Sequence, residues 1–164
     1  MLSQPRPPLE RWTVQHRDDS YGFAWYCGRG IIVSQVIYAH GSAAAARNYH
    51  RFEEQVLRDR AAELKRYGGL FVVHDWRAMQ TYDAEARRVW QERMREREKG
   101  YLRGSVVCVA KAGALLKMAV QAANVITSVV HGVRVDISED LEGVLREHAI
   151  ESPLDRVPGS GFPA

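Results

Sequence analysis

From Ile31 onward, short apolar runs bounded by glycine alternate with longer amphipathic stretches. Gly68-Gly69 opens Leu70-Phe71-Val72-Val73. A short run rich in β-formers and bounded by glycine reads as a strand buried on both faces. Ser105–Ala110 repeats the pattern, and Val133–Ile137 alternates as a shorter strand. Between these runs the period changes to that of a helix. Ala43–Tyr67 holds no glycine or proline and carries Tyr49, Phe52, Val56 and Leu64 near helical spacing. One long helix is predicted there, with Ser42 as its cap and Gly68-Gly69 as its stop. A second helix, Asp83–Lys99, puts Val89, Trp90 and Met94 on one face and a dense charge array on the other. A third, 112–130, is apolar nearly all round, which predicts burial against a sheet or in a subunit interface. Ser138-Glu139-Asp140 caps a fourth, Leu141–His148.

The N-terminal part keeps a period of two. Arg11–His16, with Trp12 and Val14 on one face, and Tyr21–Cys27 predict an antiparallel hairpin across Asp18-Asp19-Ser20. Ile31–Tyr38 is a third strand, or a continuation of the second past a bulge. Strands that alternate with helices require crossover connections. The expected fold is therefore α/β: a mixed, mostly parallel sheet of roughly four to six strands, an N-terminal antiparallel hairpin and four helices. One domain spans 11–150, between a proline-rich arm (1–10) and a Pro/Gly tail (151–164).

Composition narrows the classes. The 164 residues are 46% hydrophobic and 26% charged, as in a globular domain. The net charge of +3 rests on 23 basic against 20 acidic residues with their signs interleaved, so no nucleic-acid partner is expected. MLSQPRPPLE has no apolar core of a secretory leader. No apolar run reaches the ~20 residues of a membrane span, so no transmembrane segment is expected. Cys27 and Cys108 lie in apolar runs and read as free buried thiols in a reducing cytoplasm rather than as a disulfide or redox pair.

Ligands of parallel sheets meet the carboxyl ends of the strands. Those ends carry His40 with Ser42, His74 with Asp75, Lys111, and Ser138 with Glu139. An aspartate beside a histidine can orient a general base, and a lysine at a helix start can hold an anion. Polar residues also collect wherever strands leave a core. The histidines show no HxxxH spacing and the cysteines no ligand spacing, so neither a metal site nor a cofactor is expected. His16, His50 and His148 read as solvent-facing. On the helix 87–99, acids between the arginines predict charge pairs such as Arg88–Glu92 and Glu96–Lys99.

The stretch VVHDWRAMQTYDAEARRVW, with the order of elements around it, resembles the STAS and SpoIIAA-like superfamily, the fold of sulfate-transporter and anti-sigma-factor-antagonist domains. Asp75 resembles the strand-end aspartate of that family, and Tyr82-Asp83-Ala84-Glu85-Ala86 its helix-opening motif. Ala84 and Glu85 stand where the family has serines, one of them the phosphate acceptor, so the phosphorylation switch is not expected here. The resemblance implies a non-enzymatic regulatory domain in a bacterial-type cytoplasm that binds a protein partner. Asp75, Trp76, Arg77, Thr81, Tyr82, Asp83, Glu85, Arg87 and Arg88 would form the partner surface. Trp76 and Tyr82 would be apolar anchors, Arg77, Arg87 and Arg88 charge partners, and Glu85 a fixed negative charge. The apolar helix offers a surface for a homodimer. The alternative is a carrier of a small apolar ligand or lipid, with a pocket between helix 112–130 and the sheet and with His40, Ser42, His74 and Lys111 as ligand-binding residues. A third reading is an enzyme using Asp75 and His74, favoured by an Asp75 inside a cleft and removed by a surface Asp75 that caps its own loop.

Overall fold

The computed structural model describes residues 9–152 except Ala112. Residues 1–8 and 153–164, most of the expected arm and tail, lie outside it. Leu9 does not belong to an arm: it sits in a 3-10 turn, Leu9–Arg11, and is 1% exposed within the core.

Along the chain run β1 (His16–Asp18), β2 (Gly22–Tyr26), β3 (Ile31–Val36), β4 (His40–Gly41), α1 (Ala43–Asp59), α2 (Ala61–Tyr67), β5 (Leu70–Asp75), β6 (Thr81–Tyr82), α3 (Ala84–Glu96), β7 (Leu102–Cys108), α4 (Ala114–His131), β8 (Val135–Ser138) and α5 (Leu141–Glu147). Six strands form one sheet in the order β1-β2-β3-β5-β7-β8. The first three pair antiparallel, and β3, β5, β7 and β8 are parallel. The expected mixed α/β fold is the observed one, with five α-helices rather than four. β4 and β6 make a separate two-stranded ribbon.

Several boundaries moved, each for a local reason. The first strand begins at His16, not Arg11; Trp12 precedes it and packs edge-on against Trp25 at 5.5 Å. Ile31–Val36 is a strand of its own, because Gly28, Arg29 and Gly30 all take positive φ and reverse the chain. The long helix expected over 43–67 is two, since Arg60 leaves helical geometry at φ −115°, ψ 19°. Gly68 then ends α2 in the left-handed conformation, where a side chain is disfavoured. At Gly69 a Cβ would lie 2.8 Å from the carbonyl oxygens of Gly100 and Tyr101, so only glycine lets β5 enter here.

The parallel strands advance in one direction across the sheet, and crossovers of one hand then place their helices on one face. Side-chain alternation agrees. Ala24, Tyr26, Ile32, Leu70, Val72 and Leu102 meet Tyr49, Phe52, Val56 and Leu64 of α1 and α2. Val107 and Val109 meet Leu116 and Val120 of α4. On the other face Trp25, Ile31, Val33, Val73, Val106 and Cys108 meet Leu9 and the α5 side chains Leu141, Val144 and Leu145.

Of the two burials expected for the apolar helix, the deep one against the sheet is not found. In α4 only Leu116, Val120, Thr127 and His131 are buried, whereas Leu115, Met118, Val125 and Val129 are 74%, 65%, 64% and 80% exposed. β8 is the last strand of the sheet, so α4 covers a margin and has protein on one side only. By length and composition alone this helix could also cross a membrane. In the fold it is the crossover that joins β7 to β8.

Candidate functional site

A cavity of about 90 Å³ lies where α3 and α4 lean over β5 and β7. Its walls are mostly apolar and aromatic: Val72, Trp76, Tyr82, Trp90, Met94, Tyr101, Val107, Val120, Ile126 and Val135. Arg87 and Gln91, exposed and half-buried, also line it and mark its mouth beside α3. The helices hold this space open because they are tied at one end. The buried His131 of α4 bonds through Nε2 to the Met94 carbonyl of α3, and the Tyr101 ring packs edge-on against His131 at 5.1 Å.

The buried polar residues of the cavity are His50 and Glu53 of α1, His74 of β5, Ser105 of β7 and Thr127 of α4. The apolar stripe of α1 is wider than Tyr49, Phe52 and Val56; Ala46, His50 and Glu53 complete it at i, i+4 and i+7 and are buried. His50, expected at the surface, is 2% exposed, and neither ring nitrogen makes a hydrogen bond. Its Nδ1 lies 3.7 Å from Glu53 Oε1. Tyr49 donates to Glu53 Oε2 at 3.2 Å, and Arg97 Nε approaches Oε1 at 3.4 Å. Burial works against the Glu53 charge, but the His50 contact and the Arg97 guanidinium outweigh it and hold the carboxyl below its ordinary value. His16, also expected at the surface, is buried against Phe52 at 4.6 Å. His148 is intermediate and packs at a tilt on Phe71 at 4.3 Å.

Of the four predicted ligand-binding residues, His74 reaches this cavity. It is 7% exposed, with Nδ1 2.8 Å from Ser34 Oγ. Tyr49, Trp76 and Trp90 surround its ring at 5.0, 5.4 and 5.4 Å. Burial lowers its pKa to about 4, against the smaller upward pull of Glu53, so the ring is neutral near pH 7. With Trp76, Tyr82 and Trp90 it also walls a second space of about 30 Å³, which Ser42 lines.

Asp75 does not orient His74. Successive strand residues point to opposite faces, and Asp75 turns toward α5. Gln35 donates to its Oδ2 at 3.0 Å, and Arg77 clasps it with Nε at 2.7 Å and Nη2 at 3.0 Å. The two side chains therefore do not face one cleft.

The expected partner surface is corrected in its anchors. Asp75 is 2% and Trp76 8% exposed, so neither meets a partner from the folded chain. Arg77 is engaged by Asp75 with 14% of its side chain exposed. Tyr82 is half-buried beneath Arg87, whose guanidinium carbon lies 5.6 Å from the ring centre. Asp83 caps α3 by accepting from the Ala86 amide. Glu85 is exposed in the first turn and paired with Arg47 at 3.1 Å. Thr81 and Arg88 are exposed; Thr81 Oγ1 lies 2.9 Å from His40 Nδ1, and Arg88 pairs with Glu92 at 3.9 Å. Glu96 pairs with Arg93 at 3.2 Å, not with the expected Lys99.

Of the remaining ligand candidates, His40 and Lys111 are exposed and line neither cavity, and Ser42 caps α1 by accepting from the Ala45 amide at 3.1 Å. Cys27 and Cys108 are free and buried, with burial pushing both thiols up to about 12. The signal for His50 and Glu53 was present as their i, i+3 spacing on the apolar side of α1. Their polarity concealed it.

Compared with protein-family models, with curated proteins and with solved structures, the chain matches none.

Proposed function

We propose that this chain binds a small apolar molecule in the cavity beneath α3 and α4. The observation that carries the reading is the cavity itself. It is an aromatic-walled space of about 90 Å³ with five buried polar residues, His50, Glu53, His74, Ser105 and Thr127, among its walls. Ligand sites have this composition, mostly apolar lining with a few placed polar groups. The role is binding rather than catalysis: Asp75 is occupied by Arg77, and His74 faces Ser34. At about 90 Å³ the space is smaller than the about 150 Å³ that holds one benzene ring, so its guest is smaller than that and is not a long acyl chain.

The test is native mass spectrometry of the purified chain beside its mass under denaturing conditions. A bound species of defined small mass, lost when Ala123→Phe fills the cavity, is the expected result. Equal native and denatured masses, together with no saturable binding of small apolar compounds, sink the reading.

A second reading keeps the interaction role of the STAS-like resemblance but places it on α4 with a second copy as occupant. Leu115, Met118, Ala122, Val125 and Val129 are exposed at alternating three- and four-residue steps, the seam along which two helices pack. The seam carries no charge that would repel its own copy. Sedimentation equilibrium giving a dimer that Val125→Glu dissociates supports it, and a monomer at all concentrations removes it.

A further inference from the structure

Two features share the margin of the fold: the outer edge of β8 and the outer face of α4. β8 is the last strand of the sheet, so no strand pairs with its outer edge. The Val109 amide donates to the Ser138 carbonyl at 2.9 Å. The backbone groups of Asp136 and Ser138 therefore point into the sheet, and those of Val135 and Ile137 point out. A bare edge of this kind invites another strand. Here α4 closes it. The Val135 amide donates to Asn124 Oδ1 at 2.9 Å, and Asn124 Nδ2 donates to the Val135 carbonyl at 3.1 Å. The carboxamide thus takes the place of a neighbouring strand. Ser128 Oγ supports the clasp, 3.3 Å from Asn124 Oδ1 and 3.5 Å from the Val133 carbonyl oxygen. One outward residue of β8 lies beyond it, Ile137, which is too little for a second strand to pair with.

The helix face is open instead. Leu115, Met118, Ala122, Val125 and Val129 are exposed along it. Lys117 is the one lysine, arginine or acidic residue of α4, and it is turned to Glu139. A helix that lies on a membrane surface is rich in basic residues on its polar face, and α4 is not. The seam has a centre: Ala122 lies midway between Leu115 and Val129, and its small side chain lets two helices approach closely there. Antiparallel neighbours oppose their macrodipoles. The N-terminus of α4, at Gly113 without a side-chain cap, then lies beside the carbonyl end of the other copy. Parallel neighbours would bring Lys111 and Lys117 up against their own copies. We infer that a second copy docks α4 against α4, antiparallel about Ala122, with Leu115 on Val129 and Met118 on Val125 of the second copy, while Asn124 keeps the β8 edges out of the contact. The inference rests on the second reading above and adds its orientation, its register and the residue that guards the edge. A seam of about 21 Å, at 1.5 Å per residue, is smaller than a standard interface, so the dimer is weak and depends on concentration.

The experiment is disulfide trapping of the full chain carrying one added cysteine, beside sedimentation equilibrium. Cys27 and Cys108 are 5% and 0% exposed and stay out of the reaction. At ~10 μM protein, Ala122→Cys should oxidise to a covalent dimer about a hundredfold faster than Arg51→Cys on the exposed side of α1, because a dimer holds its two thiols at ~1 mM effective concentration. Leu115→Cys should cross-link with Val129→Cys and not with itself. The outward Ile137 amide should exchange at the same rate in monomer and dimer, a readout that needs no substitution. Leu115→Cys joined to itself overturns the antiparallel order and leaves the dimer standing. A dimer in which Ala122→Cys is no faster than Arg51→Cys overturns the seam. An Ile137 amide that slows on dimerisation means that the strand edges pair, and overturns the guarding role of Asn124. A chain that stays monomeric at all concentrations, whether free or bound to phosphatidylcholine vesicles, overturns the inference together with the reading beneath it.

Discussion

On the α5 face of the sheet, Trp25, Val33, Val73, Val106 and Cys108 close against Leu141, Val144 and Leu145 in an apolar layer. On the α1–α3–α4 face, apolar strand residues meet helices that also bury His50, Glu53, His74 and Thr127 around a cavity. Both faces come from the same strands, residue by residue. The α5 face is covered by one short helix and the Leu9 turn. The opposite face is spanned by three crossovers, α1 with α2, then α3, then α4, whose helices cannot all pack tightly against a twisted sheet. Space is left between the second and third, and polar side chains occupy its edge. A dry layer contributes stability; a layer with a gap gives up some packing and gains room for a guest.

That contrast can be broken, first on the dry face. Trp25→Ala removes a 2%-exposed indole that packs on Trp12 and donates to the Thr13 carbonyl at 2.9 Å. It should cost about 3–5 kcal/mol in urea denaturation and leave cavity binding intact in whatever remains folded. A loss below about 1 kcal/mol would mean that this layer is not what holds the sheet.

On the cavity face, Arg97→Ala leaves Glu53 buried without its cation. The expected cost is about 3 kcal/mol, the low end for breaking a buried pair because Arg97 keeps 14% exposure. Restoring a cation with Arg97→Lys should recover part of it. No difference between Ala and Lys would count against the charge argument.

Acid should act mainly through the cavity face. His74 has a folded pKa of about 4 against an ordinary 6.5, so the unfolded chain binds a proton where the folded chain does not. Stability is therefore full above 6.5 and falls as the pH drops toward 4, by roughly 3 kcal/mol from this residue. Glu53 has a lowered folded pKa; its contribution is present above the ordinary carboxylate value of 4.5 and is lost as pH falls through the folded one. Urea midpoints across this range for the unaltered chain and for His74→Phe separate the two. The variant should lose the upper part of the acid dependence and keep the lower.

The smallest effects lie on one helix. Val120→Ala on the inner side of α4 should cost about 2 kcal/mol from two lost methyl groups and the enlarged cavity. Val129→Lys on the outer side, at 80% exposure, should change monomer stability by no more than about 0.5 kcal/mol. Comparable costs at both positions would show that the outer stripe is covered in solution.

The chain's own pattern determined the alternation of strands and helices, the antiparallel start and the parallel remainder, because periods of 2 and 3.6 and the glycine punctuation are local properties. It did not determine which side of the apolar helix is buried. An apolar surround carries no direction, and only the position of β8 at the sheet edge leaves Leu115 and Val129 facing outward. Nor did it separate His74 from Asp75, adjacent in sequence but turned to opposite faces by the pleat. His50 and Glu53 read as polar surface until α3 supplied Arg97 and Trp90 against them. A side chain's chemistry is written in the sequence, but its burial depends on what distant elements place beside it, and that is decided only when the tertiary structure forms.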